Sequence, residues 1–391
     1  VINSKHKACT GAPVRGLGRL LNVAVFAAGA ILGLSGGSAE AAAVEQTAHN
    51  VILFLGDAGG IPTLNAAGIY AHDRPQSLFI QSMPHIALSD TSALDRRVTD
   101  SAAGMTAIMT GSKTNNGMVA VVPSAGGAGV QSVKTILEHA EERGLSTGVI
   151  TNKPIWDATP AATYAHVAAR SSKDDIFRQL LAPRFGDGVD ILMGKGRTDA
   201  EGAYVRLGTG AAQAFARAGY LFGDDPASVK PDTRRAAMLI DKDFPAQTAV
   251  DAAIASLARN PRGYFLMVEW DMHTDNPLEG LRHAVEMDDL IRHVSGKVGE
   301  DTLILFTADH SFALRLTDGV RTQAYAAQYA QAAKPGVTAA ANPLLSVLDD
   351  HTGEEVLVAA SGPGAERVHG FLPNTRLFEV IMGALGWTGE K

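Results

Sequence analysis

Val51-Ile52-Leu53-Phe54-Leu55 runs without a polar interruption into Gly56-Asp57. A strand with one wet face alternates apolar and polar residues, whereas an unbroken apolar run suits a strand covered on both faces. Similar runs recur along the chain: Thr147-Gly148-Val149-Ile150-Thr151, Asp190-Ile191-Leu192-Met193, Tyr264-Phe265-Leu266-Met267-Val268, Thr302-Leu303-Ile304-Leu305-Phe306 and Val356-Leu357-Val358-Ala359-Ala360. Helical patterns lie between them, at 133–143 and at 281–294, where Leu281, Ala284, Met287, Ile291 and Val294 share one face. This alternation predicts an α/β fold, a three-layer α/β/α sandwich with a mostly parallel central sheet. Sheets of that kind place their sites beyond the carboxyl ends of the strands.

The residues that follow each run therefore carry the chemistry. The first run ends in Asp57, and the run at 302–306 continues as Thr307-Ala308-Asp309-His310. The run at 264–268 continues into Glu269, Asp271, His273 and Asp275, and His351-Thr352-Gly353 stands just before the last run. Asp157-Ala158-Thr159 and then Arg170 follow the run at 147–151. Singly, each acid reads as a turn residue or a helix cap. Several converging on one sheet edge would repel one another without cations. Asp and His donors suit Zn²⁺, while Asp, Glu and Thr oxygens suit Mg²⁺. Their dispersion along the chain argues against a zinc finger and for a site assembled by the fold. A further stretch, Val98-Thr99-Asp100-Ser101-Ala102-Ala103-Gly104, puts a serine at the start of a run of small residues with good helix propensity. The Ser101 hydroxyl then sits at the positive end of a helix, where it either caps the helix or attacks a phosphorus centre.

The rest of the chain bounds the setting. Lys5, Lys7, Arg15 and Arg19 precede an apolar stretch at 20–34, then small residues with Ala39-Glu40-Ala41 and Ala41-Ala42-Ala43 as cleavage sites. Residues 1–43 read as a secretory signal, predicting a periplasmic or secreted protein that does not stay on the membrane after cleavage. A membrane anchor is the other reading, but about 15 moderately apolar residues are short for a span. Cys9 is the single cysteine of the chain and lies in that leader, so the mature protein is expected to hold no disulfide. Removing the leader takes the formal net charge from −7 to about −10, which disfavours nucleic-acid binding and leaves an anionic substrate in need of local positive charge. Residues 44–391 read as one catalytic domain with insertions near 194–244 and 311–350.

Taken in order, Asp57, Asp100-Ser101-Ala102, Asp157-Ala158-Thr159-Pro160-Ala161-Ala162 with Arg170, Thr307-Ala308-Asp309-His310 and His351-Thr352-Gly353 resemble the alkaline phosphatase family across essentially the whole mature chain. The resemblance implies an alkaline-phosphatase-like fold, hydrolysis of small phosphate monoesters, two Zn²⁺ and one Mg²⁺. It makes Ser101 the nucleophile that forms a phosphoserine. It assigns one zinc to Asp57, Asp309 and His310, with the Ser101 oxygen, and makes His351 a ligand of a second zinc that stabilises the leaving alkoxide. Arg170 would grip two phosphoryl oxygens with its planar fork. Asp57, Thr159 and Glu269 would form the magnesium site, with Asp157 just outside it. Relatives are commonly homodimers, which makes a homodimer the expected assembly.

The chain departs from the family between Glu269 and His273, where its loop is shorter. Counting back along the following helix lands His273 on the family's zinc histidine. Asp271 is then the nearest carboxylate for the second zinc, with Asp275 as the alternative. Met105 stands where the family normally has Gly or Ala, which reads as packing. A phosphodiesterase of the same superfamily is the runner-up, and Arg170, placed to grip a dianionic monoester, weighs against it. An exported metal- or phosphate-binding protein without activity would not need Ser101. A sulfatase lacks its Cys/Ser-x-Pro-x-Arg context here, and Gly56-Asp57-Ala58-Gly59-Gly60 lacks the glycine spacing of a dinucleotide site.

Overall fold

In this computed structural model, residues 46–332 and 342–387 are described. The expected leader at 1–43, with Cys9 and the cleavage sites, lies outside them, as does 333–341 of the second expected insertion. The strands in chain order are β1 (Asn50–Asp57), β2 (His85–Asp90), β3 (Val121–Pro123), β4 (Val130–Ser132), β5 (Ser146–Pro154), β6 (Ile191–Lys195) and β7 (Leu221–Gly223). They continue with β8 (Ala236–Ile240), β9 (Tyr264–Asp271), β10 (Thr302–Ala308), β11 (Ser311–Leu316), β12 (Leu345–Thr352), β13 (Val356–Ser361) and β14 (Gly370–Pro373). Among the described residues, ten of them form one sheet in the order β14-β2-β13-β10-β1-β9-β5-β6-β8-β7. All its neighbours pair in parallel except β13, which runs against both β10 and β2. The fold is the expected α/β sandwich, and all six apolar runs became strands of the main sheet.

The side-chain period of two explains both the layering and the site. Val51, Leu53 and Leu55 of β1 point into one core, and Ile52 and Phe54 into the other. Strand β9 divides in the same way, with Phe265 and Met267 on the first face and Leu266 and Val268 on the second. Strand β10 follows, with Leu303 and Leu305 against Ile304 and Phe306. On the first face pack the helices Ser101–Thr110, Ile136–Glu142, Lys173–Leu181 and Arg376–Ala384; on the second pack Ile61–His72, Ala246–Leu257 and Pro277–Ser295. Odd-numbered residues of β1, β5, β9 and β10 therefore share the face of the Ser101 helix. Asp57, Thr151, Glu269 and Asp271 are all odd, and Asp309 follows directly on β10. One parity rule gathers them where the carboxyl ends of these strands meet.

Register completes the gathering. Asp57 lies opposite Asp271, Leu55 opposite Glu269, and Thr151 opposite Glu269 on the other side. The Ser101 helix can sit low over this edge because residue 104 is glycine: a Cβ there would meet the Asp309 carbonyl oxygen at 2.7 Å. Met105, fully buried in the same core, confirms the packing reading of that position.

The stretch at 194–244 extends the sheet rather than standing apart from it, since it supplies β7 and β8 along with the helices Arg197–Arg206 and Ala211–Arg217. The described part of 311–350 forms the β11–β12 hairpin and a helix at Tyr325–Ala332. That hairpin carries His351, which pairs with Phe312, to the sheet edge. Strand β14 lies beyond the last of the apolar runs. No helix of the described residues is long and apolar enough to cross a membrane.

Candidate active site

Asp100 and Ser101 divide two tasks that the sequence left to one residue. Asp100 is the helix N-cap, its Oδ1 accepting from the Ala103 N–H at 3.0 Å. Ser101 is the first helical residue, so the capping reading of Ser101 is corrected: its hydroxyl is free of that duty. Both residues are good caps, and the acid comes first in the chain. Ser101 Oγ donates to Asp57 Oδ1 at 3.3 Å and lies 3.2 Å from His310 Nε2. The other oxygen of Asp100, Oδ2, accepts from Gly117 N–H at 3.0 Å and from Arg170 Nη1 at 3.2 Å. Arg170 Nη2 donates to Asp157 Oδ1 at 2.8 Å, so two carboxylates fix the guanidinium beside the serine helix. Asp157 in turn caps the short Ala158–Ala161 helix through the Ala158 N–H.

Around Ser101 the imidazoles and carboxylates form three overlapping groups, each with ligand atoms within 4.8 Å: Asp57, Asp309 and His310; Asp57, Asp271 and His273; His273, His310 and His351. His310 Nδ1 faces the Ser311 carbonyl at 3.0 Å and His351 Nδ1 the Thr99 carbonyl at 3.0 Å. Donation there turns each Nε2 toward the site, where, once free of its proton, it presents the lone pair a metal ligand needs. The two rings stack with centroids 3.7 Å apart. His273 Nδ1 is 2.7 Å from Asp271 Oδ1. Asp271, not Asp275, enters these groups; Asp275 is exposed on the rim of the cleft. Ala58, held at φ 62°, aims its N–H at Asp309 Oδ1, 3.2 Å away.

Several buried oxygens here accept no hydrogen bond. Thr159 Oγ1, Glu269 Oε1 and Asp309 Oδ2 are buried and make no hydrogen bond. The second Glu269 oxygen accepts from Thr151 Oγ1. An orphaned buried acceptor costs about 1–3 kcal/mol, so three in one site call for a ligand of positive charge. The electrostatics agree. Burial and the nearby Asp57 push Glu269 well above the usual carboxylate range and Asp309 up to about 7. Burial opposes the charge on Asp57, but His273 and His310 outweigh it and hold that carboxyl low. Burial likewise opposes the charge on His273, yet Asp57 and Asp271 raise it to about 9. Hard and borderline divalent cations fit this donor set of Asp, Glu, Thr and His.

The sequence reading passed over Lys153, whose Nζ is 3.2 Å from Asp271 Oδ2, and Asn116, whose Oδ1 accepts from the Asp100 N–H at 3.1 Å. β5 is irregular between Ile150 and Pro154, so strand alternation did not point to Lys153. Nothing in the chain pointed to Asn116.

Fold and site together define an α/β enzyme with a metal-binding centre at its strand ends. The family model for alkaline phosphatase matches residues 48–216 and 240–344. The chain is 30% identical to the alkaline phosphatase of Escherichia fergusonii, over 90% of this chain and 90% of that one. It is also 30% identical to the alkaline phosphatase of Escherichia coli K12, over 88% of this chain and 87% of that one. The chain belongs to the alkaline phosphatase family. Among solved structures, Thermus thermophilus alkaline phosphatase superposes with a TM-score of 0.73 at 20% identity, covering 92% of this chain and 97% of that one. The enzyme of the Antarctic bacterium TAB5 gives 0.71 at 22% identity, over 88% and 99%. A variant of the TAB5 enzyme carries Mg in its M3 site.

Proposed function

We propose that this protein is exported and hydrolyses small phosphate monoesters by way of a phosphoserine at Ser101. The observation that carries the reading is the Ser101 hydroxyl, set at a helix N-terminus against Asp57 and His310 and flanked by an anchored Arg170. Asp57, Asp309 and His310 would hold one zinc. Asp271, His273 and His351 would hold the second, and Asp57, Thr159 and Glu269 a magnesium. When bound, these ions supply Lewis-acid stabilisation to the serine oxygen, the leaving oxygen and the phosphoryl charge.

The chain's own groups do the rest. Two of the five Arg170 donors are committed to Asp100 and Asp157, and the remainder can meet phosphoryl oxygens. The helix N-terminus adds its positive end to the same anion. Ser101 Oγ forms the bond to phosphorus as the ester oxygen departs with its carbon, giving the alcohol after protonation. Water then attacks the phosphoserine, releasing phosphate and regenerating the hydroxyl.

Two measurements test this. The metal-loaded protein is expected to turn over p-nitrophenyl phosphate far faster than its bis-ester; a preference for the bis-ester would sink the monoesterase reading. Ser101→Ala is expected to abolish the phosphoenzyme and cut kcat by about three orders of magnitude or more, with metal content nearly intact. Full activity in that variant would remove the covalent mechanism.

A further inference from the structure

An open cleft of about 700 Å³, bordered by Asp100 next to Ser101 and by His273 and His351, is lined by an unusual balance of charge for an anion site. Asp100, Asp271, Asp275, Asp349 and Asp350 are on its wall, and Lys153 is the one lysine or arginine there among the described residues. Arg170 is not part of that wall, and its guanidinium is braced between Asp100 and Asp157.

Lys153 lies two residues past Thr151, in the irregular last stretch of β5, and its side chain reaches the cleft wall and Asp271. Its ammonium makes one ion pair, with Asp271 Oδ2 at 3.2 Å, and its side chain keeps 28% of its surface exposed. It shares the cleft wall with Asp100, the N-cap of the Ser101 helix and a partner of Arg170, and with His273 and His351. The pair uses the Asp271 oxygen turned away from His273, because Oδ1 is the one bound to His273. An ammonium has three donors, and two remain for a ligand.

We propose that Lys153 is a second phosphate-binding cation, which together with Arg170 holds the phosphoryl group of the substrate and the inorganic phosphate product. This rests on the monoesterase reading above. Arg170 grips with a fixed planar fork, while Lys153 offers a mobile point charge on a long stem. Asp271 parks the ammonium at the cleft wall when no anion is present. An incoming dianion takes up its two open donors.

The competing role is a counter-charge that only steadies Asp271, and it is separable. The holoenzymes of Lys153→Met, Lys153→Gln and Lys153→Arg would be compared with the unaltered protein for bound metal, for equilibrium binding of inorganic phosphate, and for KM and kcat on p-nitrophenyl phosphate. The proposal expects unchanged metal content in both neutral variants. Phosphate binding weakens about ten- to a hundredfold, as for a lost charge-assisted hydrogen bond, and KM rises with it. Arginine is expected to recover most of the affinity. Loss of metal with unchanged phosphate affinity per loaded site would overturn it in favour of the counter-charge, and unchanged metal with unchanged affinity would also overturn it. If the unaltered holoenzyme itself neither binds phosphate nor cleaves the ester, the monoesterase reading falls first, which distinguishes the two failures.

Discussion

Thr159 shows how one buried atom can be both a defect and a design feature. Its Oγ1 has no partner, although the residue is almost fully buried. Replacing it by the near-isosteric valine removes an orphaned hydroxyl, which in the metal-free protein is expected to raise stability by about 1–2 kcal/mol. In the presence of magnesium the sign should reverse, because the same hydroxyl would be a ligand. Thermal melts of Thr159→Val in chelator and in magnesium check this directly. A stabilisation of equal size in both conditions would show that the hydroxyl binds nothing. At this scale the sequence was legible wherever a residue type dictated its role. Of the Asp and His donors beside the apolar runs, Asp57, Asp271, His273, Asp309, His310 and His351 come together, and Asp275 does not. Asp100 and Ser101 were not separable, since adjacent good caps differ only in which residue begins the helix, and a one-residue boundary is beyond propensity. Lys153 carried no such signal, because it stands beyond the apolar run where β5 loses its regular register.

The Ser101 helix is placed by what it lacks. Gly104 sits one turn from Ser101, where any Cβ would press on the Asp309 carbonyl at 2.7 Å and on its Cβ at 3.2 Å. In an ordinary helix interior Gly→Ala gains about 1 kcal/mol. Here the backbone it would strike cannot swing away, so the helix must shift, and Ser101 with it. Gly104→Ala is expected to lower kcat/KM by roughly a hundredfold, the effect of an ångström-scale misplacement. Loss of stability should be no more than about 1–3 kcal/mol, the usual range for an overpacked contact. Kinetics beside a denaturant melt would show it, and an unchanged kcat/KM would mean that the helix position is not critical. Elements buried on both faces were readable from sequence, and those at the margins were not. Strand β2, His85–Asp90, is half-exposed, β7 has three residues, and β14 leaves Phe371 76% exposed. None of these presents an apolar run, because none is covered on both sides. β8 is fully buried but lay inside a stretch read as an insertion for its Gly, Ala and charge content.

Over the whole molecule, the same convergence that makes the site makes the metal-free fold sensitive to pH. The sheet brings Asp57, Glu269 and Asp309 together in its interior, and the described residues hold no cysteine to brace them. Burial and mutual repulsion raise Asp309 to about 7 and Glu269 well above its ordinary value. A raised carboxyl stays protonated in the native state while the unfolded chain has already released its proton. The native state then binds more protons than the unfolded one, and stability falls as pH rises from about 4 through the folded pKa. His273, raised to about 9, acts in the same direction: it stabilises fully below its unfolded pKa, and that contribution is lost as pH climbs through 9. Divalent cations reverse the first effect, because they bind the deprotonated carboxylates and turn repulsion into coordination. The chelated protein should therefore melt at a lower Tm than the metal-loaded protein, and the gap should widen steadily from pH 5 to pH 9. Melting curves across that range, with metals saturating or removed, would measure it. A gap that stays constant with pH would mean that these carboxylates are not where the metal binds.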